Sequence, residues 1–313
     1  MTKKRKNLKK TLLTIGSGYA ALLALGYGIY YFSMIQSNEK KIEGHTLSLS
    51  ENTDIENEWY KELDKEEWSI ESIDGLTLKA TYLNLHPDSQ KIVILAHGLG
   101  HAREQMIPWA KIFDSLGFNV LMPDARAHGD SDGSVIGYGW LDRQDYKRWL
   151  TALIQKKGDN IKVALLGISM GAAGVMATST QDLPSNVKLI IEDSGFQSLS
   201  KESYFRMKNK YHLQVGKFLM KIINYYGSHF AGYSYYDGNL VQELRKNNIP
   251  LLMIHGGKDE TVPLRDVYAL FNADKGDKQL YIDENAQHIS SIRQSPDKYR
   301  EVVTNFVNKY IDA

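Results

Sequence analysis

The chain has 313 residues, 42% of them hydrophobic, and 38 Lys and Arg set against 37 Asp and Glu leave a formal net charge of +1. Those apolar residues can fill a sizeable core, for one large domain with additions or two small ones. The balanced charge, with no basic concentration in the folded part, argues against nucleic acid as a partner, and the absence of cysteine excludes a thiol nucleophile, a disulfide framework and a thiolate metal site.

The N-terminus opens on a basic block, Lys3-Lys4-Arg5-Lys6 with Lys9-Lys10, and the stretch from Thr11 to Ser37 carries no charged side chain. Its apolar core, from about Leu12 to Ile35, would reach roughly 34 Å as about 23 helical residues at ~1.5 Å each, enough to cross a bilayer. With basic residues before it, mixed charges after it and Tyr27, Tyr30, Tyr31 and Phe32 near its far end, the pattern predicts a single-pass anchor with its N-terminus cytoplasmic and the remainder outside. A cleaved signal peptide is the alternative, although its apolar region is normally only about 7–15 residues and closes on small residues. The expected organisation is therefore a cytoplasmic basic segment at 1–10, an anchor at 11–36, a polar tether at 37–65 and a catalytic domain at 66–313.

Residues 68–73 and 76–82 alternate about Asp74-Gly75, which reads as a β-hairpin. Strands then alternate with helices: strands at about 91–97, 118–123, 161–166, 187–193, 250–255 and 279–283, helices near 103–116, 139–156, 170–180, 262–273 and 296–311. Such alternation predicts a mostly parallel sheet with helices on both faces. One stretch, about 196–248, breaks the pattern. It carries no clear strand and is rich in aromatics, among them Tyr204, Phe205, Tyr211, Phe218, Tyr225, Tyr226, Phe230, Tyr233, Tyr235 and Tyr236. It is expected to form a helical cap whose tyrosines chiefly pack the cap down, with some lining an acyl or aryl pocket.

Gly167-Ile168-Ser169-Met170-Gly171 follows the apolar run at 161–166 and leads into Ala172-Ala173-Gly174. A G-x-S-x-G between a strand and a helix is a nucleophile elbow, with Ser169 at the apex of a strained turn where side chains at Gly167 and Gly171 would crowd. A serine hydroxyl needs a base, commonly a histidine held by a carboxylate, and after an elbow the carboxylate and then the histidine follow in the chain. Of His212, His229, His255 and His288, the last lies on the loop after a late strand and is the expected base. His255 ends a strand and reads as a buried structural residue, and His212 and His229 belong to the cap. Asp259, on a Gly-rich turn after a strand, is the expected carboxylate, with Glu260 and Asp193 as alternatives. The oxyanion hole would use the Met170 amide and one from the His97-Gly98-Leu99-Gly100 loop, for which Leu99 is the expected donor. His97 precedes the serine and is expected to order that loop.

These pieces, with Asp124 to Ser131, Glu192-Asp193-Ser194-Gly195 and His255-Gly256-Gly257-Lys258-Asp259, occur in an order and spacing that resembles the α/β-hydrolases, the group of serine esterases, lipases and peptidases. The resemblance spans roughly residues 65 to 313. It implies an α/β-hydrolase fold with a cap insertion, structural roles for Arg126 and His128, and a serine hydrolase that needs no cofactor. No metal motif stands out, since Asp130-Ser131-Asp132-Gly133 lacks the downstream pattern of a calcium loop. The expected activity is cleavage of small-molecule or lipid carboxylic esters through an acyl-enzyme. A peptidase or amidase of the same fold and a catalytically silent binding module are the alternatives, and the residues leave substrate and oligomeric state open.

Overall fold

A computed structural model describes the backbone of residues 3–209, 212 and 216–313, and the side chains of those residues from 13 onward except 15 and 217. Three helices come first: α1 (Lys3–Met34), α2 (Asn38–Glu51) and α3 (Asp54–Glu62). The hairpin strands β1 (Glu66–Glu71) and β2 (Thr77–Leu83) turn at Asp74-Gly75, where Gly75 has φ +84°. Then come β3 (Lys91–Ala96), α4 (Ile107–Ser115), β4 (Asn119–Pro123), α5 (Asp142–Lys157), β5 (Lys162–Ile168), α6 (Met170–Ser179) and β6 (Val187–Asp193). The cap follows as α7 (Leu199–Asn209), α8 (Lys217–Tyr226), a π-helical turn at Gly227–Ala231 and the short α9 (Leu240–Glu243). Last are β7 (Leu251–Gly256), α10 (Arg265–Ala273), β8 (Lys278–Asp283), α11 (Ser291–Gln294) and α12 (Pro296–Tyr310).

The eight strands form one sheet in the order β1-β2-β4-β3-β5-β6-β7-β8, antiparallel at β1/β2 and β2/β4 and parallel from there on. The parallel strands are buried on both faces, as their continuous Val, Ile and Leu runs require. One core lies under α5 and α6 and takes in Trp149 and Leu165; the other lies under α4 and α12 and takes in Phe113, Leu166 and Phe306. This is the expected α/β-hydrolase architecture. It places the C-terminal ends of β3, β5, β7 and β8, where ligands bind in such sheets, on one edge.

The N-terminal region departs from expectation. Among the described residues no helix is long and apolar enough to cross a membrane. Within the uncharged run of α1, Gly16, Gly18, Gly26 and Gly28 and the tyrosines 19, 27, 30 and 31 dilute the apolar character. Its C-terminal part is also engaged by the catalytic domain. A Cβ on Gly26 would strike Ile222 of α8, so glycine lets the two helices meet. Tyr27 packs edge-on against Tyr226 at 5.3 Å between centroids, Ser33 Oγ lies 2.8 Å from the Tyr235 hydroxyl, and Tyr30 and Met34 are buried. Ile35 and Gln36 pair with the loop at 134–136. Residues 26–36, expected in the bilayer, thus pack on the cap. The segment expected as a tether forms two helices, α2 and α3, seated on the domain; α3 opens with a capping box between Thr53 and Glu56.

Candidate active site

The elbow owes its shape to its glycines. Ser169 has φ +51° and ψ −111°, a conformation a non-glycine residue adopts only when its surroundings enforce it. A Cβ on Gly167 would run into the Gly171 carbonyl, and one on Gly171 into the carbonyl of Ala96 in β3. The Ser169 amide donates to the Asp193 carbonyl at 2.8 Å, tying the turn to β6.

The three expected residues meet above this edge. His288 Nε2 lies 2.9 Å from Ser169 Oγ, and His288 Nδ1 lies 2.7 Å from Asp259 Oδ2. The other Asp259 oxygen, Oδ1, accepts from the Thr261 and Val262 amides, both at 2.8 Å, so the buried carboxylate is fixed by backbone donors. Glu260 is exposed, whereas Asp259 is buried. Asp193 is buried and otherwise engaged: Ser194 Oγ donates to Oδ1 at 2.9 Å and the Tyr299 hydroxyl to Oδ2 at 3.0 Å. Burial pushes its pKa up to about 6. Ser194 Oγ in turn accepts from the Ile289 amide at 3.2 Å. Ser194 (φ +62°) and Ile289 (φ +48°) are both left-handed, so two strained residues pin the loop that carries His288. The sequence offered no sign of this brace. His255 is buried, with Nε2 3.0 Å from the Val262 carbonyl and 3.5 Å from Asp259 Oδ2; burial lowers its pKa and favours the neutral ring. His212 and His229 are exposed in the cap, away from the serine.

The loop after β3 is ordered as its histidine suggested. His97 is fully buried; Nδ1 donates to the Gly98 carbonyl at 2.8 Å and Nε2 accepts from the Ala125 amide at 2.9 Å. Burial holds its pKa well below the ordinary value, so it stays neutral and structural. His128 Nε2 accepts from the Gly100 amide at 3.2 Å, and Arg126 is held between Asp145 and Asp74. The Leu99 and Met170 amides are left without a protein acceptor among the described residues, as an oxyanion hole requires.

Sequence reasoning missed how much of this loop is held from the N-terminal side. Gln105 Oε1 accepts from the Gly98 amide at 2.8 Å, and Glu51 of α2 reaches Gln105 Nε2 and His101. Ser48 Oγ accepts from the Ala102 amide at 2.9 Å, and His45 Nδ1 bonds Glu104 at 2.8 Å. Gly44 lies against the Gly100 and His101 carbonyls, where a larger residue would crowd the loop. The partners that join residues 44–51 to 100–105 lie fifty or more residues apart in the chain and carry no periodic signal. His45, Asp124 and Asp130 bring ligand atoms within 4.8 Å of one another, but the Arg103 guanidinium, 3.6 Å from Asp124 and paired with Asp130, already supplies the positive charge there.

The cap is helical, as expected. Tyr233 and Tyr235 are buried and pack it down, while Tyr204, Phe205 and Tyr236 line an open cavity of about 550 Å³. Phe218, Tyr225 and Phe230 are exposed. Tyr211 lies outside the described residues.

Residues 87–226 match a family model described as serine aminopeptidase, S33. The match includes Ser169 and ends before Asp259 and His288. The chain is 26% identical to YqkD of Bacillus subtilis (strain 168), an uncharacterized protein, over 307 residues that cover 98% of this chain and 99% of that one. Among solved structures it is similar to the Pyrococcus furiosus esterase Pf2001 (TM-score 0.65, 23% identity, 80% of this chain and 92% of that one). It is also similar to the Pyrococcus horikoshii acylaminoacyl peptidase (TM-score 0.58, 19% identity, 82% of this chain and 43% of that one). These structural likenesses establish the fold.

Proposed function

We propose that this chain, which has the α/β-hydrolase fold, is a serine hydrolase that cleaves carboxylic esters through an acyl-enzyme. The observation that carries the reading is the continuous chain from Ser169 Oγ to His288 Nε2 at 2.9 Å and from His288 Nδ1 to Asp259 Oδ2 at 2.7 Å. His288 takes the Ser169 proton as Oγ attacks the ester carbonyl. The oxyanion forms where the Leu99 and Met170 amides point, and Asp259 stabilises the imidazolium. His288 returns the proton to the leaving alcohol. Water, deprotonated by His288, then releases the acid and restores the serine.

The family model's description and the peptidase likeness favour an amidase or peptidase as the second reading. The ester reading is preferred because that peptidase carries more than half its length outside the match, whereas Pf2001 is matched almost whole. Turnover of p-nitrophenyl butyrate beside peptide p-nitroanilides decides between the two. Replacing Ser169 by Ala should lower turnover by about 10⁴ or more. Normal turnover by that variant, or no labelling of the wild type by a fluorophosphonate, would refute a serine nucleophile.

We also propose that the protein works at a membrane with its catalytic domain outside the cytoplasm. Support comes from the basic block at Lys3–Lys10 and from the exposed apolar side chains Leu22, Leu25, Tyr31 and Phe32 of α1 and Phe218, Tyr225 and Phe230 of the cap, with Tyr27 packed against Phe230 where the two meet. Protease treatment of intact cells, followed by fractionation, tests this. Recovery of protected protein in the soluble cytosol would sink it.

A further inference from the structure

Helix α7 of the cap buries a carboxyl that the mechanism above does not use. Glu202 is 4% exposed, and its Oε2 has no hydrogen-bond partner among the described residues. Among the described residues its Oε1 comes no nearer to a cation than 4.0 Å, from Arg206 Nε. Leaving a carboxyl buried and half-satisfied costs free energy that packing with an apolar residue would not. Glu202 lines a small pocket of about 180 Å³ together with Leu99, Gly100, Ile136, Tyr138 and Met207. Leu99 and Tyr138 also pack against the cluster of Ala125, Ala127, Ile136 and Met170, the last being the residue after the nucleophile. The pocket therefore shares a wall with the oxyanion hole and lies within reach of one arm of an ester bound at Ser169.

The groups around Glu202 restrict what that arm can be. Asp266 of α10 and Asp259 of the triad face it with negative charge, Arg206 on its own helix with positive charge, and Lys40 of α2 lines the same pocket. Burial outweighs Arg206, and the Glu202 pKa is pushed up to about 8. At neutral pH the group is thus a carboxylic acid, with one O–H donor and one carbonyl acceptor. An ammonium arm would meet Arg206 and Lys40 in the same space. A purely alkyl arm would leave the acid unpaired.

We propose that this pocket binds a neutral, hydroxyl-bearing arm of the substrate, with the Glu202 carboxyl as its hydrogen-bond partner. This rests on the ester-hydrolase reading and narrows its substrate class to hydroxylated esters. The test compares two pairs of probes: p-nitrophenyl 3-hydroxybutyrate against p-nitrophenyl butyrate for the acyl arm, and 2-hydroxyethyl butyrate against propyl butyrate for the alcohol arm. In one pair the hydroxyl should raise kcat/KM by about tenfold, the worth of one hydrogen bond. Glu202→Gln, which keeps a donor and an acceptor, should retain that gain, and Glu202→Leu should abolish it. In the wild type the gain should change in size as pH rises through about 8, where the carboxyl loses its O–H and becomes an acceptor only, while in the Gln variant it should not vary with pH, an effect a packing role would not produce. Indifference to the hydroxyl in both pairs would overturn the proposal, as would a gain that survives in the Leu variant. So would a preference for 2-aminoethyl butyrate that the Gln variant loses. Ser169-dependent turnover of plain p-nitrophenyl butyrate is read separately, so failure of the hydrolase reading itself is distinguishable.

Discussion

Replacing Asp259 by Asn changes only the donor pattern at the carboxyl. Oδ1 accepts from two backbone amides at 2.8 Å, and those donors cannot move without unfolding the turn. The amide oxygen of the Asn must therefore take the Oδ1 position, and its NH₂ must take the position of Oδ2, 2.7 Å from His288 Nδ1. A donor then faces Nδ1, so the imidazole is driven into the tautomer with its proton on Nε2, pointing at Ser169. The lone pair that should accept the serine proton is gone. Wrong-tautomer substitutions of this kind cost about 10⁴ in kcat, which at ~1.36 kcal/mol per decade is about 5.4 kcal/mol of barrier. Stability should change far less, by roughly 1–2 kcal/mol, because both backbone amides keep an oxygen acceptor. The assay is kcat on p-nitrophenyl butyrate beside urea denaturation of the same preparation. Asp193→Asn is the control, since Asp193 bonds Ser194 and Tyr299 and not the imidazole. If Asp259→Asn stayed within tenfold of wild type while Asp193→Asn lost three decades, the assignment of the carboxylate would be wrong.

Three further outcomes follow from contacts described above. Gly171→Ala places a Cβ against the Ala96 carbonyl and should cost about 3 kcal/mol or more, seen as a lower urea midpoint or insoluble protein. Arg126→Leu strands Asp145, whose Oδ2 lies 2.8 Å from Arg126 Nε, in a buried site and should cost about 3–5 kcal/mol by the same measurement, with an unchanged m-value if folding remains two-state. His45 should make stability depend on pH. Its bond to Glu104 raises its pKa above the ordinary value, so its contribution is complete below pH ~6.5 and is lost as pH rises through the raised folded value. His45→Asn should flatten the curve of unfolding free energy against pH over that window and leave lower pH less stable than in the wild type; an unchanged slope would refute the link.

What the sequence made legible was local. The alternation of strands and helices, the elbow glycines around Ser169, and the short spacing from a strand end to Asp259 or His288 are all written within a few residues, and the structure brings Ser169, Asp259 and His288 together. What stayed hidden depends on pairs far apart in the chain. The uncharged run from Thr11 reads alike whether lipid or the cap covers it; Gly26 against Ile222 and Ser33 against Tyr235 show which surface covers its second half. Glu51, Ser48 and His45 look like solvated residues of a polar stretch because their partners, at 101 to 105, are named only in three dimensions. Glu202 was invisible for a related reason: a charged residue on a helix reads as outward-facing until the fold turns that face inward.

The seating of α2 on the loop at 97–105 couples the N-terminal helices to the backbone that carries the Leu99 amide. Only residues 35–37 separate α1 from α2, and two of them are paired to the loop at 134–136, so there is little slack between the two helices. Trimming the chain behind α2 to obtain a shorter enzyme would strip Glu51 from Gln105 and Ser48 from Ala102, and with them the support of the Gly98 to Gly100 backbone. A cut there would loosen the backbone that carries the Leu99 amide while leaving Ser169, Asp259 and His288 on the chain.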